Sequence, residues 1–454
     1  MGSSERFNIL QESPHDHACA TVPEAETESG LPRWAPSRYT VRAVTDDGRL
    51  VLWNTYYGTM SVFKVEQRSL VERLLRKPGF EAEPEGIVGY LRDRGFLIPA
   101  STDEYKRIQL AFGRQHYRSD VLQLILLASE DCNFRCAYCY EDFARGTMEP
   151  WVREGVKNLV QKRAKGLRSL SVNWFGGEPL YGLKAIEELA PFFVEMADLH
   201  SLSFWSEMTT NGYLLTPEVA EKLLSWQVRH FQITLDGASE HHDKSRPARD
   251  GQPTFDTILQ NLRGMRDREE EFVVNIRVNF DRANSPDLPD FVELLGKEFG
   301  EDGRFQIRFR AVGRWGGPND GQLEVCGVDE AATIQKEMKA EALRRGLKLS
   351  DDVRSVGGFG SQVCYAARPY NFIVGADGKL MKCTIELDKN DRNVVGRITA
   401  EGDLDLDFDK LAVWTEPAFT EDKGCQKCVF LPPCQGIYCP LIRMDHNRSP
   451  CTPY

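Results

Sequence analysis

The sequence predicts an α/β fold in which six consecutive βα units form a partial, TIM-like (β/α)6 barrel that does not quite close. Aliphatic, β-branched and aromatic runs predict six strands, at Val121–Ala128, Leu170–Trp174, Phe204–Thr210, His230–Leu235, Phe272–Phe280 and Arg304–Ala311. Helices are predicted between them, at Pro150–Lys165, Leu183–Ala197, Pro217–Trp226, Phe255–Arg266 and Asp287–Glu298. Strands that alternate with helices in this way form a parallel sheet with right-handed crossovers.

Three cysteines follow the first predicted strand with C-x3-C-x2-C spacing: Cys132, Cys136 and Cys139. Three thiolates hold three corners of a cube-shaped [4Fe-4S] cluster, whereas a structural cluster takes four cysteine ligands. No fourth cysteine is near in the sequence, so the spacing predicts one iron that is open to another ligand. A zinc site with a distant fourth ligand is the alternative, since pairs of cysteines also bind zinc.

With this motif the chain resembles the radical S-adenosylmethionine (SAM) superfamily, in which the open iron chelates the amino and carboxylate groups of SAM. The resemblance implies that one electron splits SAM into methionine and a 5'-deoxyadenosyl radical, which abstracts a hydrogen atom. A Gly-Gly-Glu segment follows the second strand, and the family uses such a segment to hold the SAM amino group. Gly176, Gly177 and Glu178 are therefore expected SAM contacts, although Gly-Gly is also a common turn.

Polar residues stand at the carboxyl ends of the later strands, where parallel barrels gather their ligand sites. The resemblance implies contacts to the ribose, carboxylate or adenine of SAM from Asn211, Thr234, Asp236 and Asn279. Each of them is also suited to a cap or a turn. Arg246 is a candidate cation beside the SAM carboxylate. The sequence names no general base, and the candidates by position are Asp236, Glu141, Asp142, Tyr140 and Arg310.

The cysteine-rich C-terminus resembles the SPASM extension, which carries auxiliary iron–sulfur clusters. The resemblance implies one cluster on Cys425, Cys428, Cys434 and Cys451, and a second on Cys364, Cys383 and Cys439. The second set is one ligand short, so either Cys326 completes it or its iron is open. One step departs from the family pattern, because four residues rather than three separate the last close pair. Zinc ribbons are the alternative.

The amino-terminal part has two sections. Residues 1–35 are rich in Glu, Ser, Pro and Thr, which predicts a disordered tail. Residues 36–110 predict a hairpin, two helices and a short strand, at Tyr39–Val44 with Leu50–Asn54, Ser69–Arg76, Pro84–Arg94 and Gly95–Ile98. This order indicates a winged-helix-like domain. In peptide-modifying members of the family such a domain pairs an edge strand with the leader of the substrate; the alternative is a cap on the barrel without a recognition role.

The remaining boundaries are a barrel at 115–320, a connecting segment at 321–362 and the SPASM domain at 363–454. The chain has 454 residues, and its net charge of −11 argues against binding to nucleic acid. No apolar run is long enough to cross a membrane. The cytoplasm is the expected compartment, because iron–sulfur clusters are labile in oxygen.

These observations predict a radical SAM maturase that forms a thioether or carbon–carbon cross-link in a ribosomally made peptide. Its expected partners are a precursor peptide with a leader and a reductant such as flavodoxin or ferredoxin. One alternative is a formylglycine maturase of the sulfatase type, in which an Asp typically follows an auxiliary-cluster cysteine; here Thr384 follows Cys383. Others are a dehydrogenase of a small alcohol or sugar, and a non-catalytic electron carrier.

Overall fold

The computed structural model describes residues 30–77, 79–143, 145–350 and 357–446. Most of the predicted tail, Cys19 and Cys451 lie outside these residues. The chain divides into two compact units. The first comprises the described residues of 1–116, 353–364 and 417–454, and the second those of 117–352 and 365–416.

The first unit begins with two small antiparallel sheets, of order β2-β3-β4 and β5-β1-β6. Their strands are β1 (Arg33–Pro36), β2 (Thr40–Val44), β3 (Leu50–Asn54), β4 (Thr59–Phe63), β5 (Phe80–Glu81) and β6 (Leu97–Pro99), with helices α1 (Val65–Leu74), α2 (Gly86–Asp93) and α3 (Glu104–His116). The predicted hairpin, two helices and strand are therefore present in that order. Strand β4 was not predicted, because its turn contains no Asn-Gly or Asp-Gly pair; the turn is closed by the Gly58 amide, which donates to the Asn54 carbonyl at 2.8 Å.

The second unit contains an 11-stranded sheet of order β13-β12-β11-β10-β9-β8-β7-β14-β15-β16-β17. Its strands are β7 (Val121–Ser129), β8 (Ser169–Gly176), β9 (Ser203–Thr210), β10 (Val228–Thr234), β11 (Val273–Phe280), β12 (Phe305–Ala311), β13 (Lys348–Leu349), β14 (Asn371–Val374), β15 (Lys379–Met381), β16 (Val394–Ile398) and β17 (Leu404–Leu406). Strands β7 to β12 pair in parallel and in sequence order, which confirms the six predicted strands.

Helices join the strands of this unit: α4 (Pro150–Arg163), α5 (Leu183–His200), α6 (Pro217–Ser225), α7 (Ser239–Ser245), α8 (Phe255–Arg266), α9 (Leu288–Phe299) and α10 (Val328–Arg344). Helix α11 (Phe408–Thr415) follows β17. The first unit ends with α12 (Lys423–Lys427), α13 (Leu431–Cys434) and α14 (Pro440–His446). No helix within the described ranges is long and apolar enough to traverse a bilayer.

Burial alternates along strands β8 to β12. One set of alternate side chains is apolar and buried, for example Trp174, Met208, Phe231, Ile276 and Phe309. The other set is mostly polar and partly exposed, for example Asn173, Glu207, Gln232, Arg277 and Arg308. Because parallel strands covered on both faces are apolar throughout, this alternation means that helices cover one face only. We call the other face the polar face.

Candidate active site

The three clustered cysteines lie in a loop that leaves the carboxyl end of β7, here called the cysteine loop (residues 131–139). The segment after α7 runs beside it and forms three backbone hydrogen bonds. The amides of Arg135 and Ala137 donate to the carbonyls of Pro247 and Ser245 at 3.0 and 2.8 Å, and the Arg249 amide donates to Asn133 at 2.7 Å. The loop is therefore held in shape by the protein's own backbone.

All three thiols of the cysteine loop are free, with Cys132 buried and Cys136 and Cys139 partly buried. Within the described ranges, no three His, Cys, Asp or Glu side chains converge closely enough to share one metal ion.

Burial raises the pKa of all three thiols, that of Cys139 to about 12. They therefore become thiolates only when a bound cationic group compensates for the loss of solvent. A bound iron–sulfur cluster would do this, and the donor set fits such a group. The Phe134 amide donates to the Cys132 sulfur at 3.3 Å, which would stabilise the thiolate further.

The Gly-Gly pair ends β8 against the backbone that leads into the cysteine loop. Gly176 has φ of +125°, and a Cβ atom there would lie 2.0 Å from the Ser129 carbonyl oxygen. A Cβ atom on Gly177 would lie 2.7 Å from that of Asp131. This close packing of the chain on itself requires a residue without a side chain at both positions. Whether the two glycines also contact SAM stays a prediction.

Glu178 is fully buried and joins the ends of β8 and β9. Its Oε1 accepts from the Leu180 amide at 3.0 Å and from the Thr210 hydroxyl at 2.7 Å, and its Oε2 accepts from the Asn211 amide at 2.7 Å. Burial raises the pKa of this carboxyl, although these hydrogen bonds oppose the rise. The predicted SAM contact is therefore a residue that also fixes the site's framework.

Asn211 connects that framework to the cysteine loop. Its side-chain amide donates to Asn133 Oδ1 at 2.8 Å and lies 3.9 Å from the Cys132 sulfur. The Asn211 Oδ1 in turn accepts from the Tyr213 amide at 2.9 Å. The predicted strand-end residue is thus beside the first cysteine of the trio.

Tyr138 lies between the second and third cysteines, and sequence reasoning missed it. Its hydroxyl donates to Asp236 Oδ2 and accepts from Arg246 Nη1 at 2.6 Å and from Asn279 Nδ2 at 3.0 Å. Asp236 Oδ1 also accepts from the Asn279 amide at 2.9 Å. Three residues predicted to contact SAM therefore support the cysteine loop through one tyrosine. The feature of the sequence that could have identified Tyr138 is an aromatic residue between two cysteines of the motif.

Thr234 is buried at the end of β10, beside Arg277 of β11 in the strand register. Just beyond it, the Asp236 amide donates to His242 Nδ1 at 3.1 Å. Burial lowers the pKa of His242 well below its usual value, so this imidazole is neutral. Asp243 accepts from two amides at the start of α8, at 2.7 and 2.8 Å. His242 and Asp243 therefore have structural roles at the two ends of this segment.

The candidate bases differ in their surroundings. Burial, with Glu130 and Asp142 nearby, raises the pKa of Glu141 to about 8. Tyr140 packs against an apolar cluster, and Arg310 is exposed at the end of β12. None of these contacts distinguishes a base.

In the first unit, Cys425, Cys428 and Cys434 are close enough to influence one another. Burial and, to a smaller extent, the other two thiols raise the pKa of Cys434 to about 11. The Cys364 amide donates to the Ile437 carbonyl at 3.4 Å, two residues before Cys439. In the second unit, the Cys383 amide donates to Asn393 Oδ1 at 2.8 Å. Cys326 is partly buried.

Comparison with known proteins identifies the domain to which this site belongs. Residues 126–295 match the Radical SAM superfamily. They contain the cysteine loop, the Gly-Gly-Glu segment and the strand ends described above. This part of the chain is therefore a radical SAM domain, and the protein is an enzyme.

Curated relatives are similar over part of the chain. The radical SAM cyclopropyl synthase TigE of Paramaledivibacter caminithermalis is 23% identical over 291 residues, 57% of this chain and 60% of TigE. The mycofactocin maturase MftC of Mycolicibacterium smegmatis is 24% identical, over 67% of this chain and 74% of MftC. An Fe-coproporphyrin III synthase of Methanosarcina barkeri is 29% identical, over 37% of this chain and 39% of the synthase. The chain thus spans less than two thirds of the length of TigE and of that synthase.

Two solved structures share the fold. The structure of anSMEcpe with bound AdoMet has a TM-score of 0.53 and 21% identity, over 70% of this chain and 88% of that one. Streptococcus suis SuiB bound to its precursor peptide SuiA has a TM-score of 0.51 and 13% identity, over 92% of this chain and 98% of SuiB. At these identities the likeness concerns the fold alone.

Proposed function

We propose that the protein is a radical SAM peptide maturase. It abstracts a hydrogen atom from a ribosomally made precursor peptide by means of a 5'-deoxyadenosyl radical, and it forms a thioether or carbon–carbon cross-link. The observation that carries the proposal is the cysteine loop, which places the three free thiols of the C-x3-C-x2-C motif at the carboxyl end of strand β7. Two relatives, MftC and TigE, are named for a maturase and a synthase.

The bound cluster and SAM would supply the radical, with an electron from a flavodoxin or ferredoxin. The chain's own residues have other roles. Cys132, Cys136 and Cys139 hold the cluster, while Glu178 and Asn211 position the strand ends around it. The cysteines of the C-terminus would hold two auxiliary clusters, for which the mutual proximity of Cys425, Cys428 and Cys434 gives support. We place the protein in the cytoplasm.

The amino-terminal unit supports a peptide substrate. Strands β2 and β4 are the two edges of the sheet β2-β3-β4, and Met60 and Val62 of β4 are 42% and 53% exposed. An edge strand with exposed apolar side chains can add an extended peptide by main-chain hydrogen bonds. We propose that the winged-helix-like domain binds the leader of the precursor in this way.

A formylglycine maturase is less well supported. Thr384, which follows Cys383, takes the place where that class has an Asp. Its hydroxyl is 2.7 Å from that of Tyr365, and its amide donates to the same tyrosine at 3.0 Å. A hydroxyl held by a tyrosine is a poor proton acceptor at neutral pH.

The test is to incubate the anaerobically reconstituted protein, SAM and dithionite with a Cys-containing precursor peptide encoded nearby. Mass spectrometry should give a product two hydrogens lighter, together with 5'-deoxyadenosine. Cys136→Ala should lose both, whereas Gly166→Ala, at a position with open space around it, should keep both. Release of 5'-deoxyadenosine without a mass change in any peptide encoded nearby would contradict the maturase proposal. It would leave the activity of the radical SAM domain on SAM intact.

A further inference from the structure

The indole of Trp53 in β3 lies against the loop that carries three of the C-terminal cysteines, here called the second cysteine loop (residues 425–438). Its ring packs on Phe430 of that loop, with centroids 5.8 Å apart. The Phe430 amide in turn donates to the Cys428 sulfur at 3.4 Å. Trp53 is therefore close to a thiol that the proposed function assigns to an auxiliary cluster.

The position of Trp53 in β3 explains why its ring faces this loop. Leu50 and Leu52 of the same strand belong to the buried core cluster of the amino-terminal domain. Side chains that follow one another along a strand point to opposite faces of the sheet. Trp53 therefore lies on the face away from that cluster, where it packs on Phe430.

Two hydrogen bonds hold the second cysteine loop against the same domain. The Thr55 hydroxyl donates to the Val429 carbonyl at 2.6 Å, and Arg38 Nη2 donates to the Gln426 carbonyl at 2.6 Å. The domain and the loop belong to the same compact unit. The amino-terminal domain is therefore part of the surroundings of the thiols in this loop.

The indole N–H of Trp53 meets no hydrogen-bond acceptor among the residues that the structure describes, although the side chain is only 8% exposed. A buried donor without an acceptor is destabilising, and such donors are uncommon in folded proteins. Trp34 of the same domain shows the usual arrangement, because its indole donates to the Ala82 carbonyl at 2.9 Å. The unsatisfied N–H of Trp53 therefore indicates a bound group that supplies the acceptor.

The second cysteine loop suits a group that accepts hydrogen bonds through sulfur. Burial raises the pKa of the Cys434 thiol, whereas backbone hydrogen bonds from Gly436 and Tyr438 lower it. Together with the Phe430 amide, these donors already point at the sulfur atoms of the loop. An iron–sulfur cluster held by these cysteines would add further sulfur atoms that accept hydrogen bonds.

We propose that Trp53 donates its indole N–H to a sulfur atom of the auxiliary cluster on this loop and thereby raises the reduction potential of that cluster. The inference rests on the proposed function, which includes the cluster, and it deepens that function by naming a residue that tunes it. The reduced cluster carries one more negative charge than the oxidised one. A hydrogen bond to its sulfur is therefore stronger in the reduced state and favours reduction.

A raised potential has a use in the proposed reaction. Formation of a cross-link removes two hydrogens from the peptide and joins the two atoms that lose them. The 5'-deoxyadenosyl radical takes the first as an atom, and the second leaves as a proton to water and an electron to an acceptor. An auxiliary cluster of higher potential accepts this electron more readily.

A potentiometric titration of the reconstituted full chain, followed by EPR of the reduced clusters, tests the donor. The signal that disappears in Cys428→Ala belongs to this cluster. Trp53→Phe keeps an aromatic ring and removes the N–H, so the midpoint potential of that signal should fall by about 59 mV, or tenfold in the equilibrium constant for one electron. Trp34→Phe makes the same change of ring where the indole donates to a carbonyl, and it should leave the potential unchanged.

Pulsed EPR detects the hydrogen bond itself, and its result on the unmodified protein does not depend on the folding of a variant. With ¹⁵N in the indole rings of tryptophan, the reduced cluster should show a coupling to ¹⁵N, which Trp53→Phe should remove. Absence of this coupling in the unmodified protein would overturn the inference. So would a potential that Trp53→Phe leaves unchanged, or one that Trp34→Phe lowers equally.

The proposed function is judged separately. If Cys428→Ala removes no EPR signal, no cluster is bound at the second cysteine loop, and both this inference and that auxiliary cluster are wrong. If the signal is present but Trp53→Phe changes neither the potential nor the coupling, only this inference is wrong. The maturase proposal depends on the mass of the precursor peptide, which neither measurement involves.

Discussion

Replacement of Tyr138 by Phe tests whether the tyrosine hydroxyl supports the cysteine loop. The substitution keeps the ring and removes one oxygen atom. Two charged side chains, Asp236 and Arg246, and one amide, that of Asn279, would lose a buried partner. A hydrogen bond to a charged group contributes about 1.5–3 kcal/mol, and such values are not additive within a network. We expect local destabilisation of about 3 kcal/mol.

Amide hydrogen exchange of the cysteine loop measures this loss. A change of about 3 kcal/mol corresponds to roughly a hundredfold increase in the opening equilibrium. The amides of Arg135 and Ala137, which are bonded to the segment after α7, should therefore exchange about a hundredfold faster in metal-free Tyr138→Phe. After reconstitution, the variant should also lose iron to a chelator faster than the unmodified protein.

Tyr213→Phe is the matched control. The Tyr213 ring packs on Phe134 of the cysteine loop with centroids 5.6 Å apart, but its hydroxyl makes no hydrogen bond to the residues the structure describes. In Tyr213→Phe, the amides of the cysteine loop should exchange at close to their rate in the unmodified protein. If both tyrosine variants show the same exchange and the same iron release, the hydroxyl has no supporting role and our account of Asp236 and Asn279 is wrong.

Two further predictions concern stability. Gly176→Ala should destabilise the protein by about 3 kcal/mol in thermal or urea unfolding, because a Cβ atom would lie 2.0 Å from the Ser129 carbonyl at a φ of +125°, whereas Gly166→Ala, with open space around it, should be nearly neutral. Burial lowers the pKa of His230 from 6.5 to about 4, so the unfolded chain binds a proton that the folded chain does not; stability should fall as pH drops from 6.5 towards 4. In His230→Gln, the loss of unfolding free energy between these pH values should be smaller by about 2 kcal/mol, after allowance for partial exposure. An unchanged loss would show that His230 does not cause it.

Strand positions and the cysteine motif were predictable, but their connections were not. Strands β7 to β12 were predictable because their apolar residues recur with the period of a β-strand. The cysteine motif was predictable because its three cysteines are close together in the sequence. Strands β14 to β17 were missed, because they are three to five residues long and β14 pairs with β7 far away in the sequence. The role of Tyr138 was equally hidden, since its partners stand in three separate segments. Whether Asn211, Thr234, Asp236 and Asn279 also contact SAM stays a prediction.

The pairing of β14 with β7 has a consequence for the newly made protein. Asn371 pairs with Gln123 and Val374 with Leu126. The edge of β7 that binds β14 therefore stays unpaired until the ribosome has synthesised most of the chain. An unpaired strand edge can pair with other polypeptides and so promotes aggregation. Contacts between segments that are distant in the sequence also form slowly. Iron should therefore be inserted after translation has ended, and truncation before residue 371 should yield material that aggregates instead of taking up metal.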